Sequence, residues 1–329
     1  MKSLAVRLSA FGRDEDVLRV EPIDVLDPAP NQVRVRMLAS PVHPADLNVI
    51  EGKYGSLPCL PATPGSEGCG KVTAIGSNVT RVNVGDLVAV IAPGNWCCER
   101  VVNASDVVAI PPGIDPIQAS MLVVNPLTAW AVIHGRGAPA VGSWVAQNAA
   151  NSAVGRCVIQ IAMLIGLRTL NLVRRSELFA ELEGLGADRV FASDVEFADF
   201  TGRLAVEERP LVGLNAVGGA AALVVANSLA DGGHLVTYGA MARQPLKIPN
   251  GLLIFRGLEF RGFWLRRWLA DTKPEDRDRV IGILVAWMLD GRLKIAVDQV
   301  FTIDRIHDAI TVANGSERSG KVVLDLSAG

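Results

Sequence analysis

Short apolar pieces separated by turn residues open the chain. Residues 32–39, 70–75, 86–91 and 98–102 each alternate or run apolar between Gly, Pro, Asn and Asp, so the first 118 or so residues read as mostly β. Past Pro116 the period changes. Residues 144–147 form a short apolar run, 155–165 carry helical spacing and 169–173 run apolar again, which is the pattern of a βαβ unit. A βα-like series continues through 190–191, 211–216, 221–229, 234–238 and 259–263, and such alternation predicts a doubly wound parallel sheet. A helix follows over 277–289, with Val280, Ile283, Leu284 and Trp287 on one stripe, and then a strand at 299–301, a helix at 306–313 and a strand at 321–326. These last pieces are too few for a second sheet, so they are expected to complete the N-terminal β unit. The predicted architecture is an α/β domain over 120–264 inserted in a mostly β domain made of 1–119 and 265–329.

Composition narrows the class. The 329 residues are 50% hydrophobic and 20% charged, ample for about two cores at ~100 to 200 residues each. Thirty-two Lys and Arg against 34 Asp and Glu leave a net charge of −2, which offers no basic excess for a nucleic-acid partner. The longest apolar stretch, 157–167, is broken by Gln160 and falls short of the ~20 residues that span a bilayer, so no membrane partner is expected. Residues 1–16 place Arg7 in their only apolar run, followed by an acidic cluster. That fits neither a secretory signal nor a transit peptide, and a cytoplasmic setting is expected. Five cysteines, at 59, 69, 97, 98 and 157, lack paired CxxC spacing, which predicts free thiols and no structural zinc.

A dinucleotide site is the first candidate chemistry. Asn148-Ala-Ala-Asn151-Ser152-Ala153-Val154-Gly155 sits between a strand and a helix, where backbone N–H groups and the helix dipole hold a pyrophosphate. Only the last glycine of the usual GxGxxG survives, in the position that packs helix against strand. The next strand ends in Arg174-Arg175, where folds that bind NAD place an acid, and arginines there suit the 2′-phosphate of NADPH. Two solvated arginines after a strand are the alternative.

These segments together resemble a known family. The run 148–155 with Val158-Ile-Gln-Ile-Ala162 and Gly166-Leu-Arg-Thr-Leu-Asn-Leu-Val-Arg174 is similar to the mitochondrial-type trans-2-enoyl-thioester reductases of the zinc-free medium-chain dehydrogenase/reductase superfamily. The likeness extends through Leu47-Asn-Val-Ile-Glu-Gly-Lys-Tyr-Gly-Ser-Leu-Pro58, Val236-Thr-Tyr-Gly-Ala-Met241 and Arg261-Gly-Phe-Trp-Leu265, nearly the whole chain. It implies a Rossmann domain inserted in a GroES-like catalytic domain and a homodimer. It also implies NADPH contacted by Asn125, Asn151, Ser152, Ala153, Val154, Arg174, Arg175, Tyr238, Gly239, Ala240, Met241, Phe263, Trp264, Leu265 and Lys321. The family has Arg-Asp-Arg after its second strand, and this chain has Arg174-Arg175-Ser176.

No metal is expected. Zinc-dependent alcohol dehydrogenases of the same superfamily hold a catalytic ion with a Gly-His-Glu and nearby cysteines. This chain reads Gly65-Ser66-Glu67-Gly68, with no Cys near 41–46; Cys97-Cys98 and His43 are poor substitutes, and Glu67 is expected to order its loop by hydrogen bonds. Another group must then supply a proton, and the chain has two tyrosines, Tyr54 and Tyr238. Tyr54 lies on a Gly-flanked loop after Pro44-Ala-Asp-Leu-Asn48, and a phenol with a pKa near ~10 can donate to a developing enolate. In the resembling family the matching tyrosine is the proton donor, although loop tyrosines more often pack. Lys53 beside it reads as a solvated lysine. Phe263, Trp264, Leu265 and Trp268 form an apolar patch suited either to core packing or to walling an acyl chain.

The implied activity is NADPH-dependent reduction of a trans-2-enoyl thioester, on coenzyme A or acyl carrier protein, with hydride at Cβ and Tyr54-assisted protonation at Cα. The alternatives are a quinone or alkenal reductase of the same superfamily and a non-catalytic NADPH binder.

Overall fold

The computed structural model describes residues 1–135, 137–315 and 318–327, and the chain divides into two compact units, Met1–Val124 with Val285–Gly329, and Asn125–Leu284. The sequence pattern predicts these divisions at 119/120 and 264/265. The second falls later because the helices Leu265–Asp271 and Pro274–Leu289, up to Leu284, group with the sheet they follow.

The first unit is mostly β. Its seven-stranded sheet runs Val297–Thr302, Lys321–Asp325, Gln32–Pro41, Gly68–Ile75, Leu87–Val90, Val107–Ala109, with Glu99–Asn103 also paired to Gln32–Pro41. Every pair is antiparallel except the C-terminal one, Val297–Thr302 with Lys321–Asp325. Strand Gln32–Pro41 shows why the sheet has one dry face: Val33, Val35, Met37 and Ala39 are buried at 0–1% exposure while Gln32, Arg34 and Arg36 point away. The C-terminal strand joins this sheet with Val323 opposite Pro41. A separate hairpin, Lys2–Leu8 with Leu18–Asp24, buries Ala5, Val6, Leu8 and Leu18 in the same core. Trp96, Met37, Val322 and Leu324 help to fill that core.

The second unit is a parallel sheet of six strands, β1 (Trp144–Asn148), β2 (Arg168–Leu172), β3 (Arg189–Phe191), β4 (Val212–Asn215), β5 (His234–Thr237) and β6 (Glu259–Gly262). Their order is β3-β2-β1-β4-β5-β6, every neighbouring pair parallel. Chain order reverses between β1 and β4, and such a reversal opens a crevice at the carboxyl ends of the strands, where open α/β sheets bind ligands. All five residues of β1 are buried, as a strand covered on both faces must be. Its core gathers Ala146, Leu170, Phe197, Val225 and Leu235. Among the described residues no helix is long and apolar enough to cross a membrane.

Candidate active site

The carboxyl ends of β1, β2, β4 and β5 are locked by a buried amide network. Asn148 Nδ2 donates to Asn215 Oδ1 at 2.9 Å, while Asn148 Oδ1 accepts from the Ala216 N–H at 2.8 Å. Asn215 Oδ1 also accepts from the N–H groups of Val217 and Gly218, and its Nδ2 donates to Thr237. Gln147 donates to Asn171 Oδ1 and to the Gly155 carbonyl. Polar side chains buried at the ends of parallel strands fix the loops that leave those strands, and sequence reasoning missed them because each lies inside an apolar run.

One such loop runs from β1 into helix Ala153–Leu164. Ala149 takes a positive φ of 48°, and Ser152 caps the helix by accepting from the Gly155 N–H at 3.1 Å. A Cβ on Gly155 would lie 2.6 Å from the Ala150 carbonyl oxygen, so this glycine is required by the close approach of the helix to the turn that leads into it. Asn151, Ser152, Ala153 and Val154 are half-buried at this helix start. Arg174 and Arg175 lie two and three residues past the end of β2 and are exposed.

The loop after β5 carries Tyr238, Gly239, Ala240 and Met241, held by hydrogen bonds from the Tyr238 N–H to Asn215 and from the Met241 N–H to Ala216. Gly239 lies so close to Ala216 that a Cβ would meet its carbonyl oxygen at 2.8 Å. Burial pushes the phenol of Tyr238 well above its ordinary pKa, which keeps it protonated. Its Oη is buried without a partner in hydrogen-bond geometry, with the Ser152 hydroxyl acting on it from outside that geometry. Asn125 Nδ2 is buried and unpartnered too. Orphaned buried donors of this kind fit a ligand rich in acceptors, and the unit that holds them also offers the helix start and the two arginines, so these residues fit a dinucleotide. Phe263, Trp264, Leu265 and Trp268 are partly buried where β6 gives way to helix Leu265–Asp271.

In the first unit, the position of the zinc enzymes' imidazole is taken by a hydrogen-bonded core. Glu67 is fully buried; Oε2 accepts from the N–H groups of Val123 and Val124 at 2.7 and 2.8 Å, and Oε1 lies 2.8 Å from His43 Nε2. On the other side of the ring, Lys321 Nζ is 3.0 Å from His43 Nδ1 and donates to the Val42 carbonyl at 2.7 Å. An ammonium facing Nδ1 requires Nδ1 to accept, so Nε2 carries the ring proton and donates it to Glu67. Burial pushes Glu67 up to about 8, pulls Lys321 down to about 8 and lowers His43 well below its ordinary value, which keeps the imidazole neutral. Asp46, pushed up to about 6 by burial, accepts from the Ser66 hydroxyl and the His43 N–H. Glu67 thus orders its loop as expected. Lys321, which the resemblance places at the cofactor, is 4% exposed, and its ammonium contacts the Val42 carbonyl and His43 inside its own unit, leaving a third N–H. Among the described residues no group of three His, Cys, Asp or Glu side chains is placed to hold a metal ion.

Tyr54 sits just past the short helix Pro44–Ile50. The helix ends with the Glu51 N–H on Leu47 and the Lys53 N–H on Asn48, and Gly52, at φ 70°, makes the left-handed turn that stops it. A side chain at Gly52 would be strained by that φ and would press on Phe11. Tyr54 is half-buried on the loop that follows, and Lys53 is exposed, its ammonium 2.9 Å from Glu51.

Comparison with known proteins agrees with this geometry. Residues 29–126 match the alcohol dehydrogenase GroES-like domain and residues 153–281 the zinc-binding dehydrogenase domain. The human mitochondrial enoyl-[acyl-carrier-protein] reductase is 39% identical over 301 residues, which cover 88% of this chain and 80% of that protein. The chain belongs to the mitochondrial enoyl-[acyl-carrier-protein] reductase family. The solved complex of Etr1p, a mitochondrial 2-enoyl thioester reductase from Candida tropicalis, with NADP and crotonyl-CoA has a TM-score of 0.89 at 29% identity, covering 99% of this chain and all (100%) of that one. A quinone oxidoreductase from Pseudomonas syringae superposes with a TM-score of 0.87 over 98% of this chain and 99% of that one, but at 24% identity this likeness shows the fold alone. Membership of the reductase family corrects one expectation, the cytoplasmic setting, because the relatives are named as mitochondrial proteins. Free thiols report a reducing compartment, and the mitochondrial matrix is one as much as the cytosol.

Proposed function

We propose that this reductase-family chain converts trans-2-enoyl thioesters, carried on coenzyme A or acyl carrier protein, to saturated acyl thioesters with NADPH. When bound, NADPH supplies the hydride that goes to Cβ. The chain's own residues hold the cofactor and handle the proton. The backbone at Asn151, Ser152, Ala153 and Val154 meets the pyrophosphate at the helix start, Arg174 and Arg175 pair with the 2′-phosphate, and the orphaned donors of Asn125 and Tyr238 satisfy acceptors on the ligand. Gly239, Ala240 and Met241, with Phe263, Trp264 and Leu265, form the wall that keeps the reacting end dry. Hydride at Cβ leaves an enolate whose oxygen is the former thioester carbonyl; Tyr54 hydrogen-bonds that charge and delivers the proton at Cα.

The observation that carries this reading is the exchange of chemistry in the first unit. Glu67 and His43 hydrogen-bond with each other, Lys321 and the backbone, and on this reading Tyr54, on its Gly-bounded loop, takes the part of proton donor. Replacing Tyr54 by Phe is expected to lower kcat for crotonyl-CoA on the order of 10²-fold while the Kd for NADPH stays within about twofold. An undiminished kcat in Y54F removes the assignment. The quinone reductase alternative rests on a fold shared with quinone-reductase structures, one of them 27% identical to this chain.

A homodimer belongs to the same proposal. Among the described residues strand β6 is the last in its sheet and pairs only with β5, and an edge of this kind is covered by a twofold copy in many α/β proteins. Light scattering at micromolar concentration is expected to give twice the chain mass of 34.9 kDa, and a monomer refutes it.

A further inference from the structure

The buried Lys321–His43–Glu67 line has no part in the chemistry above, yet it is joined to the proton donor through one short helix. His43 is 3% exposed and is the residue before Pro44, the first residue of helix Pro44–Ile50. Three separate pieces of chain converge on it: Lys321 from the C-terminal strand, Glu67 from the segment before Gly68–Ile75, and Asp46 from its own helix, which accepts the His43 N–H. Arg318 is the other charge that bears on the ring, and Ser66 holds the second oxygen of Asp46. The His43 carbonyl takes the first helical hydrogen bonds, from the N–H groups of Asp46 and Leu47. Seven residues at ~1.5 Å each put the far end of this helix ~10 Å away. There the Lys53 N–H is still bonded to Asn48, and Tyr54 is the next residue.

A buried line of lysine, imidazole and carboxyl is a poor way to gain stability, because well-packed apolar groups of the same volume do as well or better. What such a line supplies is direction: two nitrogens of one rigid ring, each with one partner, leave the ring a single orientation. We propose that His43, clamped between Lys321 and Glu67, is a positioning residue that fixes helix Pro44–Ile50 so that its far end presents Tyr54 to the substrate. The role rests on Tyr54 being the proton donor, and the test separates the two ideas.

The test is a double-mutant cycle with Tyr54→Phe, read as kcat for crotonyl-CoA and NADPH and as the Kd for NADPH. His43→Leu removes both ring contacts. His43→Asn keeps an acceptor for Lys321, and His43→Gln keeps a donor for Glu67. With Tyr54 present, H43L is expected to lower kcat by about tenfold or more with the NADPH Kd within about twofold, and H43N and H43Q are expected to fall between it and wild type. With Phe at 54, the same His43 changes are expected to cost less than about twofold, since the group they position is gone. If each His43 variant costs the same factor in both backgrounds, or leaves kcat unchanged with Tyr54 present, the positioning role is wrong. Full activity of Y54F alone overturns the donor assignment and the positioning role with it, a result distinct from additivity. Should H43L fail to fold, H43N and H43Q make the same comparison.

Discussion

Single residues in the first unit carry an electrostatic cost that shows in the pH dependence of stability. Asp46 and Glu67 have native pKa values of about 6 and about 8, raised by burial from ordinary values near 4. Between ~4 and ~8 the native chain therefore keeps protons that the unfolded chain has released, and stability falls as pH rises through that window. Lys321 is shifted the opposite way, down to about 8, so above ~8 the native chain releases its proton before the unfolded chain does and stability recovers towards the ordinary lysine value. Below ~6.5 the neutral His43 opposes this trend, so urea midpoints are expected to drop from pH 6.5 to pH 8, and Glu67→Gln is expected to flatten that drop because the amide does not titrate; an equally steep slope in E67Q refutes the assignment. Sequence alone showed part of this site. Ser66 in place of an imidazole is visible in four consecutive letters, and so is Tyr54 between its glycines. The partnership of His43 with Lys321 is not, because 278 residues separate them and nothing local marks a lysine whose ammonium turns inward.

Elements were far more legible than contacts. Strands covered on both faces read as apolar runs, and β1, β2, β4, β5 and β6 lie within about two residues of the expected positions because helices pack on each side of their sheet. The hairpin Lys2–Leu8 with Leu18–Asp24 escaped notice, since Arg7 sits inside its first strand, bonded to Thr63 and Pro61 and paired with Glu21, and breaks the apolar alternation. On the proposed reading, the turn after β2 decides cofactor choice. Arg174 and Arg175 are exposed there, and a charge-assisted bond from each to a 2′-phosphate contributes ~1.5 to 3 kcal/mol. Replacing either by Ala is expected to raise KM for NADPH by roughly tenfold or more and to leave KM for NADH within about twofold, because NADH lacks the phosphate. Equal kcat/KM for the two cofactors in the unaltered enzyme contradicts the role of these arginines.

At the scale of the whole molecule, the fold does not decide the substrate, since a quinone oxidoreductase shares it at a TM-score of 0.87. What separates the two chemistries is the shape of what is reduced. A quinone is a flat ring, whereas an enoyl thioester has an acyl tail on one side of the double bond and a long carrier arm on the other, which supplies remote binding energy to align the reacting carbons. The partly buried Phe263, Trp264 and Trp268 offer an apolar wall to such a tail. If they line its path, each added methylene stabilises the bound thioester by up to ~0.8 kcal/mol until the space is filled. The kcat/KM series is therefore expected to climb from a four-carbon enoyl-CoA to longer ones by up to about fourfold per methylene, then level or fall, and Trp268→Ala is expected to move the turning point to longer chains. Quinones have no tail to extend and give no such series. Should 1,4-benzoquinone be reduced with a much larger kcat/KM than every enoyl-CoA from four to twelve carbons, the thioester reading fails and quinone reduction replaces it.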